Sequence, residues 1–163
     1  MDVCPDYEEL LKLLNAHEVK YLVVGAQAVI FYTEPRFTKD MDVWIPPELN
    51  DPEKIYHVLK EFGAPLQHIS PKDFENKKMI FQIGVAPVRI DLMMNLEGVN
   101  ILDAWKNRKK GRYGKTSIHF LGPSDLIKNK RKAGRPQDKF DLTKLLDREK
   151  RFQPKKSRRS KKS

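Results

Sequence analysis

The sequence predicts an α/β (α+β) protein, a small mixed β-sheet flanked by helices, with a helical C-terminal part. Three observations predict it. Short β-branched or aromatic runs alternate with amphipathic segments through most of the chain, two apolar runs flank Ala86-Pro87 as a hairpin would, and the last third repeats apolar residues at helical spacing. The 163 residues suit one domain with its own core. No apolar run approaches the roughly 20 residues that a membrane helix needs.

Taken in order, Leu10, Leu11, Leu13, Leu14 and Val19 follow Pro5-Asp6 and the acidic Glu8 and Glu9, an amphipathic helix with negative charge at its start. Tyr21-Leu22-Val23-Val24 is short, apolar and stopped by Gly25, which predicts a buried strand. Residues 26–32 continue as a helix that Pro35 bounds. Met41, Val43 and Ile45 alternate with Asp40, Asp42 and Trp44 before Pro46-Pro47, the pattern of a strand with two unlike faces. Ile55, Val58, Leu59 and Phe62 recur at spacings of three and four, and Gly63 ends that helix over 52–62. Residues 79–85 and 88–94 read as adjacent antiparallel strands joined by a tight turn. A weaker helix over 100–108 and a last strand over 116–121 follow. A helix then starts at Pro123 or Ser124 and runs to Lys132. Gly134-Arg135-Pro136 breaks the chain, and a final helix over 137–152 carries Phe140, Leu142, Leu145 and Leu146 on its apolar side. There is no internal repeat.

The net charge of +10 is unevenly placed. Residues 150–163 hold eight basic side chains and no acid, whereas residues 1–149 carry 24 basic against 22 acidic, or +2. The expected organisation is therefore a domain over 1–152 and a basic tail over 153–163. The tail should be disordered, because nothing after Phe152 buries enough apolar surface to offset the entropy of ordering. Such a run can grip a nucleic-acid backbone by counterion release, or simply keep the protein soluble. Cys4 is the only cysteine, and the first residues lack the basic and apolar regions of a signal peptide. The expectation is a cytoplasmic protein without disulfides or a cysteine metal site.

The most informative stretch is Thr38-Lys39-Asp40-Met41-Asp42-Val43-Trp44-Ile45. Residues two apart on a strand point the same way about 6.5–7 Å apart, so Asp40 and Asp42 converge on one space while Met41 and Val43 face a core. Trp44 shares the face of the two acids and reads mainly as packing. Val88-Arg89-Ile90-Asp91-Leu92 sets a third carboxylate inside an otherwise apolar strand, and a neighbouring strand at about 4.8 Å brings Asp91 to the same point. Three carboxylates around one point suit a hard divalent cation, Mg²⁺ with Mn²⁺ as its substitute. The alternatives are that these aspartates are caps or solvent-facing positions, or that Arg89, which shares Asp91's face, is its partner. His17, His57, His68 and His119 have no ligand-like spacing.

The order of strand, Gly25, helix, Arg36-Phe37-Thr38-Lys39-Asp40-Met41-Asp42-Val43 and later Ile90-Asp91-Leu92 resembles the nucleotidyltransferase superfamily of the DNA polymerase β type. It looks closest to the branch of AbiEii toxins and minimal nucleotidyltransferases. The stretch from Asp125 through Lys130, Arg135, Asp138 and Asp141 is similar to that branch's C-terminal helical motif, so the likeness runs from about Tyr21 to about Leu146. The resemblance implies a nucleotidyltransferase-like fold and transfer of a nucleoside monophosphate from a nucleoside triphosphate to a protein or RNA hydroxyl, within a toxin–antitoxin system. Asp40, Asp42 and Asp91 would be catalytic and metal-binding, with two ions roughly 3.5–4 Å apart spanning the entering and leaving oxygens.

Gly25 and Ala26 at the start of a helix, Arg36, Thr38 and Lys39 before the metal strand, and Lys130 would bind the nucleotide. One departure stands out: the family's Gly-Gly or Gly-Ser is here Gly25-Ala26, which lacks a hydroxyl and weakens the triphosphate grip. Arg135, Asp138 and Asp141 read equally as an ion-pair cluster that fixes the final helix. The competing function is a catalytically weakened adaptor that binds nucleotide or nucleic acid. A metal-dependent nuclease fits less well, because no lysine stands two residues after Asp91.

Overall fold

A computed structural model describes residues 3–152. The elements run α1 (Pro5–Ala16), β1 (Leu22–Val24), α2 (Gly25–Tyr32), β2 (Asp40–Trp44), α3 (Pro52–Phe62), β3 (Ile80–Val85), β4 (Val88–Met93), α4 (Ile101–Asn107), β5 (Lys109–Tyr113), β6 (Thr116–Phe120), α5 (Pro123–Ala133) and α6 (Pro136–Phe152). Short 3-10 turns at Pro47–Leu49 and Pro71–Glu75 flank α3. Among the described residues no helix is long and apolar enough to cross a membrane. The basic tail and the domain boundary expected at 152/153 lie at or outside the limit of the described residues.

The six strands form one mixed sheet in the order β3-β4-β2-β1-β6-β5. β1 pairs antiparallel with β2, while β2 with β4 and β1 with β6 are parallel. Period-two alternation gives the sheet two unlike faces. Met41, Val43, Ile90 and Leu92 point into the core, and their neighbours Asp40, Asp42, Arg89 and Asp91 point to the other side. Helices α2, α5 and α6 touch one another. Residues of α5 face Asp42, Met93 and Ile80 across a cleft, so this helical layer lies on the acidic side.

Local chemistry sets the helix ends. Asp51 accepts a hydrogen bond from the Glu53 amide at the start of α3, and Asn100 does the same for Leu102 and Asp103 at the start of α4. Gly63 and Gly134 close α3 and α5 in the left-handed conformation.

Three features differ from the sequence expectation. β5, Lys-Lys-Gly-Arg-Tyr, is a strand the apolar pattern does not reveal, because it is an edge strand whose charged side chains face water. Phe140 is 55% exposed instead of lining the apolar side of α6, where Lys144 covers its ring at 4.8 Å. Val19 lies beyond the end of α1, although it is buried.

Candidate active site

β2 and β4 run parallel in a register that sets Asp42 beside Asp91 and Asp40 beside Arg89. Carboxylate oxygens of Asp40, Asp42 and Asp91 all lie within 4.8 Å of one another. Mg²⁺–oxygen bonds of about 2.1 Å span up to about 4.2 Å between opposite ligands, so small side-chain rotations bring all three onto one ion. The donor set is all oxygen, as that ion prefers.

Among the described residues, Arg89 is the cation that pairs with members of the triad. Its Nη2 donates to Asp40 Oδ2 at 2.7 Å and to Asp91 Oδ2 at 3.1 Å. Nε stands 3.1 Å from Asp91 Oδ1 but out of hydrogen-bond alignment, which leaves that buried oxygen without a donor. Asp91 in particular holds the guanidinium more firmly protonated than usual. No described cation is in ion-pair contact with Asp42. Burial first, and then the charges of Asp40 and Asp91, push its carboxyl from the ordinary 3.8 up to about 7. Asp91 is also raised, by burial, against the pull of Arg89. Repelling, desolvated carboxylates with one orphaned buried oxygen form a site that fits a divalent cation.

Gly25 opens α2 with φ +62°, a left-handed conformation that favours glycine. A Cβ at this position would collide with the Asp42 carboxylate, whose Cγ would stand at 3.0 Å. The residue expected to make room for phosphate thus also makes room for the acid itself. Ala26 follows at the helix start, half-buried.

A cleft of about 400 Å³ extends from Gly25 and Asp42 to Asn95 and Glu97 after β4 and to Lys130 and Arg135 near the end of α5. Lys130 is buried and held by Asp138 at 3.1 Å and Asp141 at 3.4 Å. Burial alone would raise Asp138. Hydrogen bonds from Arg135 and Lys130 overcome that and hold it below the usual carboxylate range. Asp141 also accepts from Arg36 Nη2 at 3.1 Å and from Gln137 at 3.0 Å.

The other expected nucleotide contacts lie apart from this cleft. Arg36 is engaged with Asp141, the Thr38 hydroxyl donates to the Asp40 carbonyl, and Lys39 is exposed on the connecting loop. Trp44 is buried and does not line the cleft. Asn95, Glu97 and Asn129 are cleft residues that the sequence reading missed. The one signal for Asn95 and Glu97 is the polar Asn95-Leu96-Glu97-Gly98 turn directly after the Asp91 strand, and Asn129 lies on α5 next to Lys130.

The fold has a counterpart in the crystal structure of an antigenic nucleotidyltransferase-like protein from Paracoccidioides brasiliensis. The TM-score is 0.52 at 11% identity over 93% of this chain and 78% of that one, a likeness of fold. No curated protein matches the sequence. Residues 4–162 match the family described as "Nucleotidyl transferase of unknown function (DUF2204)", and the chain belongs to that family.

Proposed function

We propose that the protein is a magnesium-dependent nucleotidyltransferase that moves a nucleoside monophosphate from a nucleoside triphosphate to a hydroxyl of a protein or RNA acceptor. The observation that carries this reading is the convergence of Asp40, Asp42 and Asp91 beside the glycine-opened start of α2. Asp40, Asp42 and Asp91 would hold the metal; bound there, Mg²⁺ or Mn²⁺ would offset charge on the triphosphate and on the attacking oxygen. Gly25 lines this cleft and Ala26 follows it at the start of α2, where backbone amides not used by the helix would suit a phosphate even without a hydroxyl at position 26. Lys130, kept in place by Asp138 and Asp141, supplies positive charge to the same cleft.

In the transfer the acceptor oxygen bonds to the α-phosphorus, the bond to the β-phosphate bridge breaks, and pyrophosphate leaves. Asp91, whose Oδ1 is buried and accepts no hydrogen bond, would take the acceptor's proton. The same activity would serve a cytoplasmic toxin, or an antitoxin that modifies its partner. The basic residues 150–163 would add an electrostatic hold on a nucleic-acid acceptor.

The test is incubation with each labelled nucleoside triphosphate and Mg²⁺. Label transfer or pyrophosphate release is expected and should vanish in Asp42→Asn. One observation favours a second reading, an adaptor that binds nucleotide without turnover: Arg89 bridges Asp40 and Asp91 where a cation would sit. Magnesium-dependent nucleotide binding with no pyrophosphate release would select it.

A further inference from the structure

The two edges of the sheet are built differently. β5 carries Lys109, Lys110 and Arg112, all exposed, and lysine or arginine on an edge strand discourages pairing with another chain. β3 is Ile-Phe-Gln-Ile-Gly-Val, inside residues 79–88, ten consecutive positions without a charge in a chain of which 33% is charged. Among the described residues nothing pairs with its outer side. Ile80 is 61% exposed on the acidic face of the sheet, and Val85 is 80% exposed on the other. Phe81, Ile83 and Val85 make one face apolar, Ile80 stands beside Gln82 and Gly84 on the other, and neither face carries the charge that guards an edge.

We infer that β3 is a docking edge, to which an extended, uncharged segment of a partner protein adds as a seventh strand. Charge argues against a polyanion, since no cation lies within those ten residues. Size argues against a second copy. The six residues of β3 make an edge about 20 Å long, and two rigid copies meeting along it alone would bury well under the about 800 Å² per partner of a stable complex. A flexible segment can instead continue past the hairpin tip. There Pro87 and Val88 form one wall of an open cleft, together with Tyr7, Tyr113 and the exposed Phe37.

The register gives the docked strand a relation to the acids. Gln82 is paired with Asp91, so a residue opposite Gln82 on the added strand stands on the same face, about 10 Å from β4. Docking rests on the open edge and does not require the proposed transfer, so the two can fail separately.

The probe is a short end-capped peptide alternating threonine and valine around a central tyrosine, added to the full chain without metal or nucleotide. Amide hydrogen exchange reads the result. The peptide should slow exchange across β3 by about tenfold or more while leaving β5 unchanged, and the effect should be lost in Val85→Lys and Ile80→Lys, both at exposed positions. Circular dichroism checks that each variant is folded. Absence of protection on β3, or protection that survives both lysines, overturns the inference. So does a concentration-dependent dimer that Val85→Lys dissolves, which would assign the edge to a second copy.

Discussion

Replacing Asp42 by asparagine should make the metal-free protein more stable while removing its response to magnesium. Asp42 is a half-buried carboxylate facing two others with no ion-pair partner among the described residues, and burial and those neighbours push its pKa from an ordinary 3.8 up to about 7. A carboxyl raised in the folded state binds more protons there than in the unfolded chain between those two values. The contribution of this group to stability is therefore greatest below about pH 4, falls as pH rises to about 7, and levels off above. At about 1.4 kcal/mol for each tenfold, the interval from 3.8 to about 7 sets a ceiling of ~4 kcal/mol. Water reaching the carboxylate screens part of the repulsion, so the neutral amide should recover about 1–3 kcal/mol at pH 8. At about 2–4 °C per kcal/mol, Tm should rise by roughly 2–12 °C. The assay is thermal unfolding of wild type and Asp42→Asn at about pH 5 and about pH 8, with and without magnesium chloride. The variant should gain stability mainly at the higher pH, and magnesium should stabilise the wild type alone. Equal Tm values at pH 8, or an equal magnesium response, would refute the reasoning that the three carboxylates form one repelling, cation-seeking group.

Other outcomes follow from the same geometry. Gly25→Ala adds a Cβ into the Asp42 carboxylate at a left-handed φ and should cost about 2–3 kcal/mol in urea unfolding, with loss of nucleotide binding. Asp141→Ala strips Lys130 and Arg36 of a shared buried partner and should cost about 3–5 kcal/mol by the same measurement. Asp138, depressed in the folded state, stabilises above the ordinary carboxylate range and loses that contribution as pH falls through its lowered value; Asp138→Asn should therefore flatten the acid limb of a Tm–pH curve. Arg89→Met removes the cation between Asp40 and Asp91, so the variant should melt lower than wild type without metal and show the larger rise when magnesium is added. Deletion after Gln153 should leave Tm unchanged while reducing salt-sensitive binding to RNA or DNA.

The sequence by itself determined the elements whose chemistry repeats along the chain. Alternation in Asp40-Met41-Asp42-Val43 assigned a strand and put two acids on one face, because strand period is a property of the backbone alone. Helical spacing with Gly63 and Gly134 at the ends marked α3 and α5 for the same local reason. β5 escaped because an edge strand needs no apolar face, and Phe140 misled because an aromatic ring at helical spacing can lie under a lysine in solvent. Only the tertiary structure decided that β2 and β4 lie side by side and parallel, which brings Asp91 to Asp42 across 49 residues of chain and inserts Arg89 between Asp40 and Asp91. It also decided that Gly25 is packed against a carboxylate and that Lys130 is held by two acids from the next helix. Strand order and register are set by the packing of the whole core, and no local periodicity carries that information.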